Sequence, residues 1–411
     1  MKRAALLTFA LLAMTNPTPA ADADGSPTDT AFLKLYAETR GFMLGRPTKP
    51  KIPPDGKTVL FLRSGPKTPK NSLFEFEIAT GKTRELLSPE MLLKGADENL
   101  TPEEKARRER QRVSVGGFAD YHLNPAGTHI LVKLANSLFV FDRAAGKAVQ
   151  LKTGKDGAIV DPKWSPDGKL IGYVRGFDVY AYDLAAEKES AVTTGGTQIK
   201  SHGLAEFVAQ EEMGRHSGFW WSPDSKSIAY TEADHTGVEQ WFVADPLKPD
   251  APPIPQYYPR PGKKNVSVRL GVKKLTGGDT VWVKFDVEHE YLARVDWGAG
   301  GLVCTIQPRD QSQCHVSLVG AGGEIVRTLS EPKDGALPWE NLATGLPMST
   351  TFEGKPAVLH NGGRNDYKKL FGRGVLTDFP FNGQYLALSV HNDEELGTLP
   401  ITRFQEFLSF D

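Results

Sequence analysis

The chain repeats one short pattern in which a proline-containing turn is followed by an apolar strand. Each copy has proline, a small or acidic residue and glycine or serine, and then a run in which apolar residues dominate. Four copies start at Pro54, Pro125, Pro166 and Pro223, and a weaker fifth covers residues 381–388. Proline and glycine in this order favour turns. The pattern therefore predicts an all-β fold built from short strands.

The spacing of these turns indicates which all-β fold is present. Successive prolines are 71, 41 and 57 residues apart, and the middle spacing matches a propeller blade of about 40–45 residues. The two longer spacings are expected to be blades that carry insertions. A blade cannot bury both faces of its sheet alone, so blades pack around a central channel. We therefore predict a β-propeller of four-stranded blades; the alternative is a β-sandwich with similar turns.

Two helical insertions account for the longer spacings. The first, residues 101–112, has Thr101 three positions before Glu104, which predicts a capping box, and Pro102 at a position that a helix tolerates. The second, residues 202–213, is also helical in pattern. Binding residues tend to lie on such excursions from a rigid scaffold.

The composition excludes several classes of partner. The chain has 411 residues, of which 39% are hydrophobic and 24% charged, as expected for a globular protein. Its 49 basic and 50 acidic residues leave a net charge of −1. A nucleic acid or an anionic membrane is therefore not expected as a partner.

The first twenty residues are typical of a secretory signal peptide. Lys2 and Arg3 precede an apolar run over residues 4–14, and small residues lead up to Ala20, where we expect cleavage. The run is too short for a bilayer, which needs about 20 residues. The residue directly after the expected cleavage point is Ala21 and not cysteine, so no lipid anchor is predicted. The expected location is periplasmic or secreted.

The two cysteines, Cys304 and Cys314, are candidates for a disulfide. If residues 308–310 form a three-residue hairpin loop, positions whose numbers sum to 618 face each other, and 304 + 314 = 618. An exported protein meets an oxidising compartment. We therefore predict a cross-strand disulfide; the alternative is two buried free thiols.

The second insertion carries two adjacent carboxylates on its predicted apolar face. An apolar stripe at i, i+3 and i+4 starts at Leu204, and Glu211 and Glu212 each follow a stripe residue by four positions. Two neighbouring acids on a buried face are costly unless a cation lies between them. Alternatively, Glu211 pairs with Arg215 on a solvated surface. The periodicity leaves both interpretations open.

Several segments resemble the dipeptidyl peptidase IV family of prolyl oligopeptidase-type serine peptidases, in particular its bacterial periplasmic members. Residues 203–213, followed by Trp-Trp-Ser-Pro-Asp at 220–224, are similar to the family's glutamate motif. Further similar segments occur in the family's order at residues 103–112, 257–272 and 290–297. The similarity covers roughly residues 50–330.

This resemblance implies a site for the N-terminus of a peptide. In the family two glutamates bind the free α-ammonium of the substrate, and their positions match Glu211 and Glu212. An arginine of the first insertion points at the substrate's backbone carbonyl; the best match is Arg112, and the second is Arg110. A peptide α-amino group has a pKa of about 8 and is largely cationic at neutral pH, so two carboxylates can hold its donors. Peptides with a free N-terminus are the implied partners.

The catalytic motif of the family is not found in the chain. The family carries its serine in G-x-S-x-G within a hydrolase domain, and no serine here lies in that motif, Ser114 being the nearest. We therefore expect no catalytic residue and no peptide cleavage by the chain alone. One function is the recognition propeller of a serine exopeptidase that releases Xaa-Pro dipeptides, working with a separate hydrolase domain. The alternative is a stand-alone exported propeller that binds peptides or a protein partner.

The remaining expectations concern domains, metals and assembly. We assign residues 21–334 to the propeller and residues 335–411 to a divergent segment with further blade strands. The propeller of the family has eight blades, and whether this chain contains all eight is left open. His289, between two glutamates, is interpreted as a strand or loop histidine, and neither a metal site nor a cofactor is expected. A homodimer is left open.

Overall fold

The structure is a computed structural model that describes most of residues 30–330. The described ranges are 30–94, 98–244, 246, 249–285, 289–298, 300–311 and 315–330, with strands at 349–352, 355–358, 374–377 and 389–392. The expected signal peptide, the weaker fifth turn and most of the divergent segment lie outside these residues. The helices are α1 (Thr30–Glu38), α2 (Pro89–Leu93), α3 (Pro102–Arg110) and α4 (Phe207–Glu211).

Most described strands belong to five consecutive sheets. The first contains β1 (Thr48–Lys51), β2 (Thr58–Ser64), β3 (Lys70–Glu77) and β4 (Lys82–Leu87), with β5 (Gly116–Gly117) pairing in parallel with β3. The second contains β6 (Tyr121–Leu123), β7 (His129–Leu134), β8 (Ser137–Asp142) and β9 (Lys147–Gln150). The third contains β10 (Ile159–Trp164), β11 (Leu170–Arg175), β12 (Asp178–Asp183) and β13 (Lys188–Ala191).

The later strands continue this arrangement and add hairpins. The fourth sheet contains β14 (Lys200–His202), β15 (Phe219–Trp221) and β16 (Ser227–Asp234). A separate hairpin follows, β17 (Gln240–Val243) and β18 (Ile254–Tyr257), before β19 (Ser267–Lys274) and β20 (Val281–Trp282) complete the fourth sheet. The fifth contains β21 (Tyr291–Gly298), β22 (Gly301–Gln307), β23 (His315–Val319) and β24 (Ile325–Ser330). Two further pairs are β25 (Ser349–Phe352) with β26 (Lys355–Val358), and β27 (Gly374–Thr377) with β28 (Ser389–Asn392).

The hydrophobic cores lie between consecutive sheets. On β7, Ile130 belongs to the core shared with the first sheet, whereas Leu131 belongs to the core shared with the third. On β16, Ile228 and Ala229 face the third and fifth sheets in the same alternating way. The middle sheets are therefore buried on both faces by their neighbours, as propeller blades are. The predicted β-propeller is confirmed.

The repeated turns form equivalent contacts in consecutive sheets. In each of the four turns a backbone N–H donates to the carbonyl three residues earlier at 2.9 Å, and the donor has a left-handed φ of 60° to 70°. The donors are Gly56, Gly127, Gly168 and Ser225. Because the left-handed region favours glycine, this shared geometry explains why the pattern is visible in the sequence.

Two glycines separate the effect of backbone conformation from that of contact between sheets. Gly127 has a φ of 69°, and a Cβ there would lie 2.5 Å from Cδ of Pro54, whereas Gly56 has a φ of 65° with open space around it. Both alanine variants should lose about 1–2 kcal/mol of unfolding free energy from the left-handed backbone. Gly127→Ala should lose about 1 kcal/mol more by overpacking. Urea denaturation measures both, and equal losses would contradict the contact.

The first insertion confirms only half of the predicted capping box. The Thr101 hydroxyl accepts the Glu104 backbone N–H at 3.2 Å, as predicted. The Glu104 carboxylate does not return to the start of the helix. It is buried and binds Arg108 at 3.0 Å together with the ammonium of Lys133. Glu104 therefore attaches α3 to the second sheet instead of capping the helix.

The second insertion is helical over fewer residues than predicted. The predicted helix over residues 202–213 is wrong, since α4 contains only Phe207–Glu211. His202 ends β14, and Gly203, with a φ of 74°, donates its N–H to the carbonyl of Thr231 at 2.8 Å. This bond keeps the chain extended beside β16. Leu204 consequently lies outside the helix, and the predicted apolar stripe does not form.

The register predicted for the two cysteines is wrong. Ile306 on β22 pairs with His315 on β23, so the numbers of facing residues sum to 621 instead of the predicted 618. Cys304 therefore faces Ser317, and it is a free thiol in the core between the fourth and fifth sheets. Burial raises the pKa of this thiol to about 12. Cys314 lies outside the described residues.

The β17–β18 hairpin exposes large apolar side chains. Trp241, Phe242 and Ile254 have 47%, 63% and 56% of their surface exposed. An exposed apolar surface of this kind often marks an interaction site; the homodimer stays a prediction. None of the helices in the described ranges is long and apolar enough to cross a membrane.

Candidate functional site

A buried ion pair attaches the second insertion to the propeller. Arg215 Nη2 lies 2.8 Å from Glu206 Oε2, and the two side chains are only 4% and 3% exposed. The same guanidinium donates to the carbonyl of Leu292 at 3.0 Å and to that of Ser217 at 2.9 Å. Because Leu292 lies at the start of β21, this pair fixes α4 against the fifth sheet. The alternative in which Arg215 pairs with Glu211 is therefore wrong.

Glu211, at the end of α4, lies between two arginines of the first insertion. Its carboxylate is 3.9 Å from Arg110 Nε and 3.8 Å from Arg112 Nη2. Both distances exceed those of direct hydrogen bonds. Within the described part of the chain, the Glu211 side chain thus has cationic neighbours and retains acceptor capacity. The structure brings together three of the four residues expected from the family resemblance.

A network of buried charges positions the first insertion. Arg108 binds Glu104 at 3.0 Å and Glu98 at 2.8 Å, and Glu98 also accepts the N–H of Gly117 at 2.7 Å. Burial alone would raise the pKa of Glu104, but Lys133 and Arg108 hold it below its usual value. The carboxylate therefore stays ionised and α3 stays attached. This rigid attachment determines where the arginines after it lie.

The fourth expected residue, Glu212, is at the exposed edge of the site. It caps α4 and donates its backbone N–H to the carbonyl of Val208 at 2.9 Å. Its side chain is exposed, as is that of Arg112, which is 80% exposed and has a left-handed φ of 56°. Both side chains are therefore accessible to a bound molecule.

Aromatic rings support Arg110, the more buried of the two arginines beside Glu211. The guanidinium of Arg110 lies 5.3 Å from the ring centre of Phe207, which in turn contacts Tyr258 edge-on at 5.1 Å. Burial lowers the pKa of Arg110, although Glu211 opposes the effect. An arginine remains charged through such shifts. Arg110 therefore contributes a fixed positive charge beside Glu211.

The sequence analysis missed a group of polar residues next to Glu211. Arg107 Nη2 lies 3.9 Å from Asp161 Oδ1, and Arg107 Nε and His216 Nδ1 are buried without a hydrogen-bond partner in the described structure. Burial and the Arg107 charge lower the pKa of His216, against the opposing effects of Asp161 and Glu211. Asp161 has a φ of 54° where the register of β10 shifts. The proline after it was the available signal, because proline within a strand often marks a bulge.

Tyr291 is a further residue near the site to which the sequence motifs assigned no role. It begins β21, and burial raises the pKa of its hydroxyl; Arg309 opposes this effect, and Glu290, Glu206 and Glu212 add to it. The phenol therefore stays protonated and can donate a hydrogen bond. Among the described residues no group of histidine, cysteine and carboxylate side chains could hold a metal ion. His289 contacts the ring of Phe285 at 4.3 Å.

The arrangement combines acceptors for a cation with donors for an oxygen atom. Glu211 and Glu212 provide two carboxylates at the end of α4, and Arg110 and Arg112 provide guanidinium groups beside them. Carboxylates hold ammonium groups by charge-assisted hydrogen bonds, and guanidinium groups bind carbonyl or carboxylate oxygens. The site therefore suits a molecule with an ammonium group close to a polar oxygen.

Comparisons with known proteins point to one family. The model described as dipeptidyl peptidase IV N-terminal region matches residues 124–372. Dipeptidyl peptidase 8 of Mus musculus is 26% identical over 375 residues, covering 77% of this chain and 42% of that protein. A probable dipeptidyl peptidase 4 of Aspergillus fumigatus is 27% identical over 231 residues, covering 53% of this chain and 30% of that protein. The chain thus spans less than half the length of these relatives.

The fold is also similar to a solved structure. The crystal structure of Porphyromonas gingivalis dipeptidyl peptidase 4 superposes with a TM-score of 0.54 at 16% sequence identity. The match covers 94% of this chain and 62% of the other. At this identity the similarity supports the propeller fold.

Proposed function

The chain belongs to the dipeptidyl peptidase IV N-terminal region family, and on that premise we propose that it binds the free N-terminus of a peptide. Glu211 and Glu212 hold the α-ammonium group, and Arg112 binds the first backbone carbonyl, with Arg110 as the alternative donor. The observation that carries the proposal is the Glu211 carboxylate, 22% exposed, with its arginine neighbours at 3.8 and 3.9 Å. These neighbours lie too far away to use its hydrogen-bond acceptors.

The geometry gives each residue a separate role. Glu211 lies on α4, which the buried Glu206–Arg215 pair anchors, so it provides a fixed acceptor. Glu212 and Arg112 are exposed and adapt to the bound peptide. An ammonium held at this helix end sets a constant distance along the peptide, as an exopeptidase of this family requires. The expected signal peptide supports a periplasmic or secreted location for this activity.

Calorimetry with matched peptides tests the proposal. Ala-Pro-Ala with a free N-terminus should bind at least about tenfold more tightly than its N-acetylated form, since acetylation removes the charge-assisted bonds. Glu211→Gln and Glu212→Gln should each weaken binding of the free peptide by about tenfold. Glu239→Gln is the matched control, because Glu239 pairs with Arg260 elsewhere.

Two results would count against this function. Equal affinities for the free and acetylated peptides would show that the ammonium group is not recognised. Unchanged affinity in both Glu211→Gln and Glu212→Gln would place recognition elsewhere on the propeller. Release of a dipeptide from a chromogenic Xaa-Pro amide by the same sample would distinguish a working peptidase from a stand-alone binding propeller.

A further inference from the structure

A cavity lined by tryptophans lies away from the glutamates. Its volume is about 360 Å³, and Trp164, Trp220, Trp221 and Trp297 contribute to its wall with Lys163 and Asp296. The indole N–H of Trp164 donates to the carbonyl of His122 at 2.9 Å, and that of Trp297 to the carbonyl of Trp220 at 3.3 Å. The polar edges of Trp164 and Trp297 are therefore bonded to the protein, so these two rings present mainly aromatic carbon to the cavity.

Two strands separate this tryptophan cavity from the glutamate site. The start of β10, at Ile159, accepts a hydrogen bond from Lys133, which binds Glu104 of α3; the end of β10, at Trp164, lines the cavity. Similarly, Leu292 near the start of β21 binds Arg215, and Asp296 near its end lines the cavity. Four residues of strand span about 13 Å. The two sites therefore contact opposite ends of the same strands.

The positive charge at the cavity is already paired. Lys163 Nζ donates to the carbonyl of Phe219 at 2.6 Å, lies 3.0 Å from Asp161 Oδ2, and sits 4.1 Å from the ring centre of Phe219. Burial lowers the pKa of this ammonium, and Asp161 opposes the effect. Lys163 therefore has little remaining capacity to attract an anion into the cavity.

The negative charge at the cavity is not paired. One carboxylate oxygen of Asp296 accepts the backbone N–H of Trp297 at 2.8 Å. Within the described ranges no basic side chain lies within 4.0 Å of this carboxylate. Burial raises the pKa of Asp296, with Lys163 lowering it only in part. A half-buried carboxylate without a counter-ion is stabilised by a cation that enters the cavity.

We propose that the tryptophan cavity is a binding site for an organic ammonium ion. Aromatic faces carry negative electrostatic potential and attract cations, and rings around a quaternary ammonium form a recurring recognition site. Asp296 supplies the counter-charge at the wall. The volume of about 360 Å³ accommodates choline or the end of a lysine side chain. Choline and the lysine side chain both carry an alkylammonium group.

The test compares a cation with its neutral isostere on the full chain. Choline should bind at least about tenfold more tightly than 3,3-dimethylbutan-1-ol, in which carbon replaces the charged nitrogen. Asp296→Asn should reduce choline affinity by about tenfold. Asp156→Asn, the same charge change at an exposed residue outside the cavity, should leave it unchanged. Titration calorimetry and quenching of tryptophan fluorescence both report the binding.

Further measurements identify which compound carries the bound ammonium group and distinguish this cavity from the peptide site. Nα-acetyl-lysine methylamide presents a side-chain ammonium but no α-ammonium. If it binds as tightly as choline, the ligand is a basic peptide. If choline binds more tightly, the ligand is a small free cation. Glu211→Gln should not change either affinity. Equal affinity for choline and its neutral isostere, no binding of either, or full affinity in Asp296→Asn would overturn the proposal. The isostere comparison needs no variant and stays decisive if Asp296→Asn does not fold.

Discussion

Glu206→Gln is expected to lower the free energy of unfolding by about 3–5 kcal/mol, because it leaves a buried arginine without its counter-charge. Arg215 would remain 4% exposed with neutral acceptors only, which are the new amide oxygen and the carbonyls of Leu292 and Ser217. Glutamine has nearly the shape of glutamate, so the loss reports charge and not packing. Urea denaturation followed by tryptophan fluorescence measures it. Since α4 is attached through this pair, peptide binding should weaken in the same variant.

Three comparisons make this prediction specific. Glu239→Gln removes an exposed ion pair with Arg260 and should leave the urea midpoint nearly unchanged. Glu211→Gln should also have little effect on stability, because Arg215 does not contact Glu211. Glu206→Met combined with Arg215→Met should recover much of the loss, since an apolar pair of similar volume tolerates burial. A large loss in Glu211→Gln instead would contradict the pairing described above.

The propeller was predictable from sequence because its signal is local. Each turn needs a left-handed residue after proline, and glycine or serine at that position repeats with the blades. Thr101 likewise predicted the start of α3 through one bond to a residue three positions away. Such features depend on neighbours in the chain, so a sequence pattern records them directly.

The details of the site were not predictable in the same way because they depend on distant residues. Glu206 was hidden in a predicted helix, and its partner Arg215 is bound to Leu292 on another sheet. The length of α4 followed from the contact of Gly203 with Thr231, which helical periodicity does not reveal. The observed register at Cys304 differs from the predicted one by three positions, because the pairing of β22 with β23 is set by the hydrophobic pattern of the whole strands as well as by the turn. The family resemblance predicted Glu211 and the arginines beside it, but not the buried Glu206–Arg215 pair that anchors α4.

Lowering the pH from 6.5 to 4 is expected to reduce the free energy of unfolding, and the main cause is His122. This histidine lies on β6, and the charged groups that face it are Asp120, Lys51, Asp161 and Lys163. Burial lowers its pKa to about 4. The two lysines lower the pKa further, whereas the two carboxylates raise it. In the unfolded chain the pKa of histidine is about 6.5. Below that value the unfolded state binds a proton that the folded state rejects, so stability falls. The contribution is complete above pH 6.5 and is lost as pH falls toward 4.

His122→Gln removes this titration and should therefore reduce the acid destabilisation by about 3 kcal/mol at pH 4 relative to pH 7. His202→Gln should change the pH dependence in the opposite direction. The hydrogen bond from His202 to Asp178 raises the pKa of the histidine. Its contribution to the unfolding free energy is therefore complete below pH 6.5 and is lost as the pH rises through the raised pKa. Unfolding free energies at pH 4, 5.5, 7 and 8 separate the two variants from each other and from the wild type. Parallel pH profiles for wild type and His122→Gln would show that His122 is protonated in the folded chain, and that the carboxylates facing it compensate for its burial.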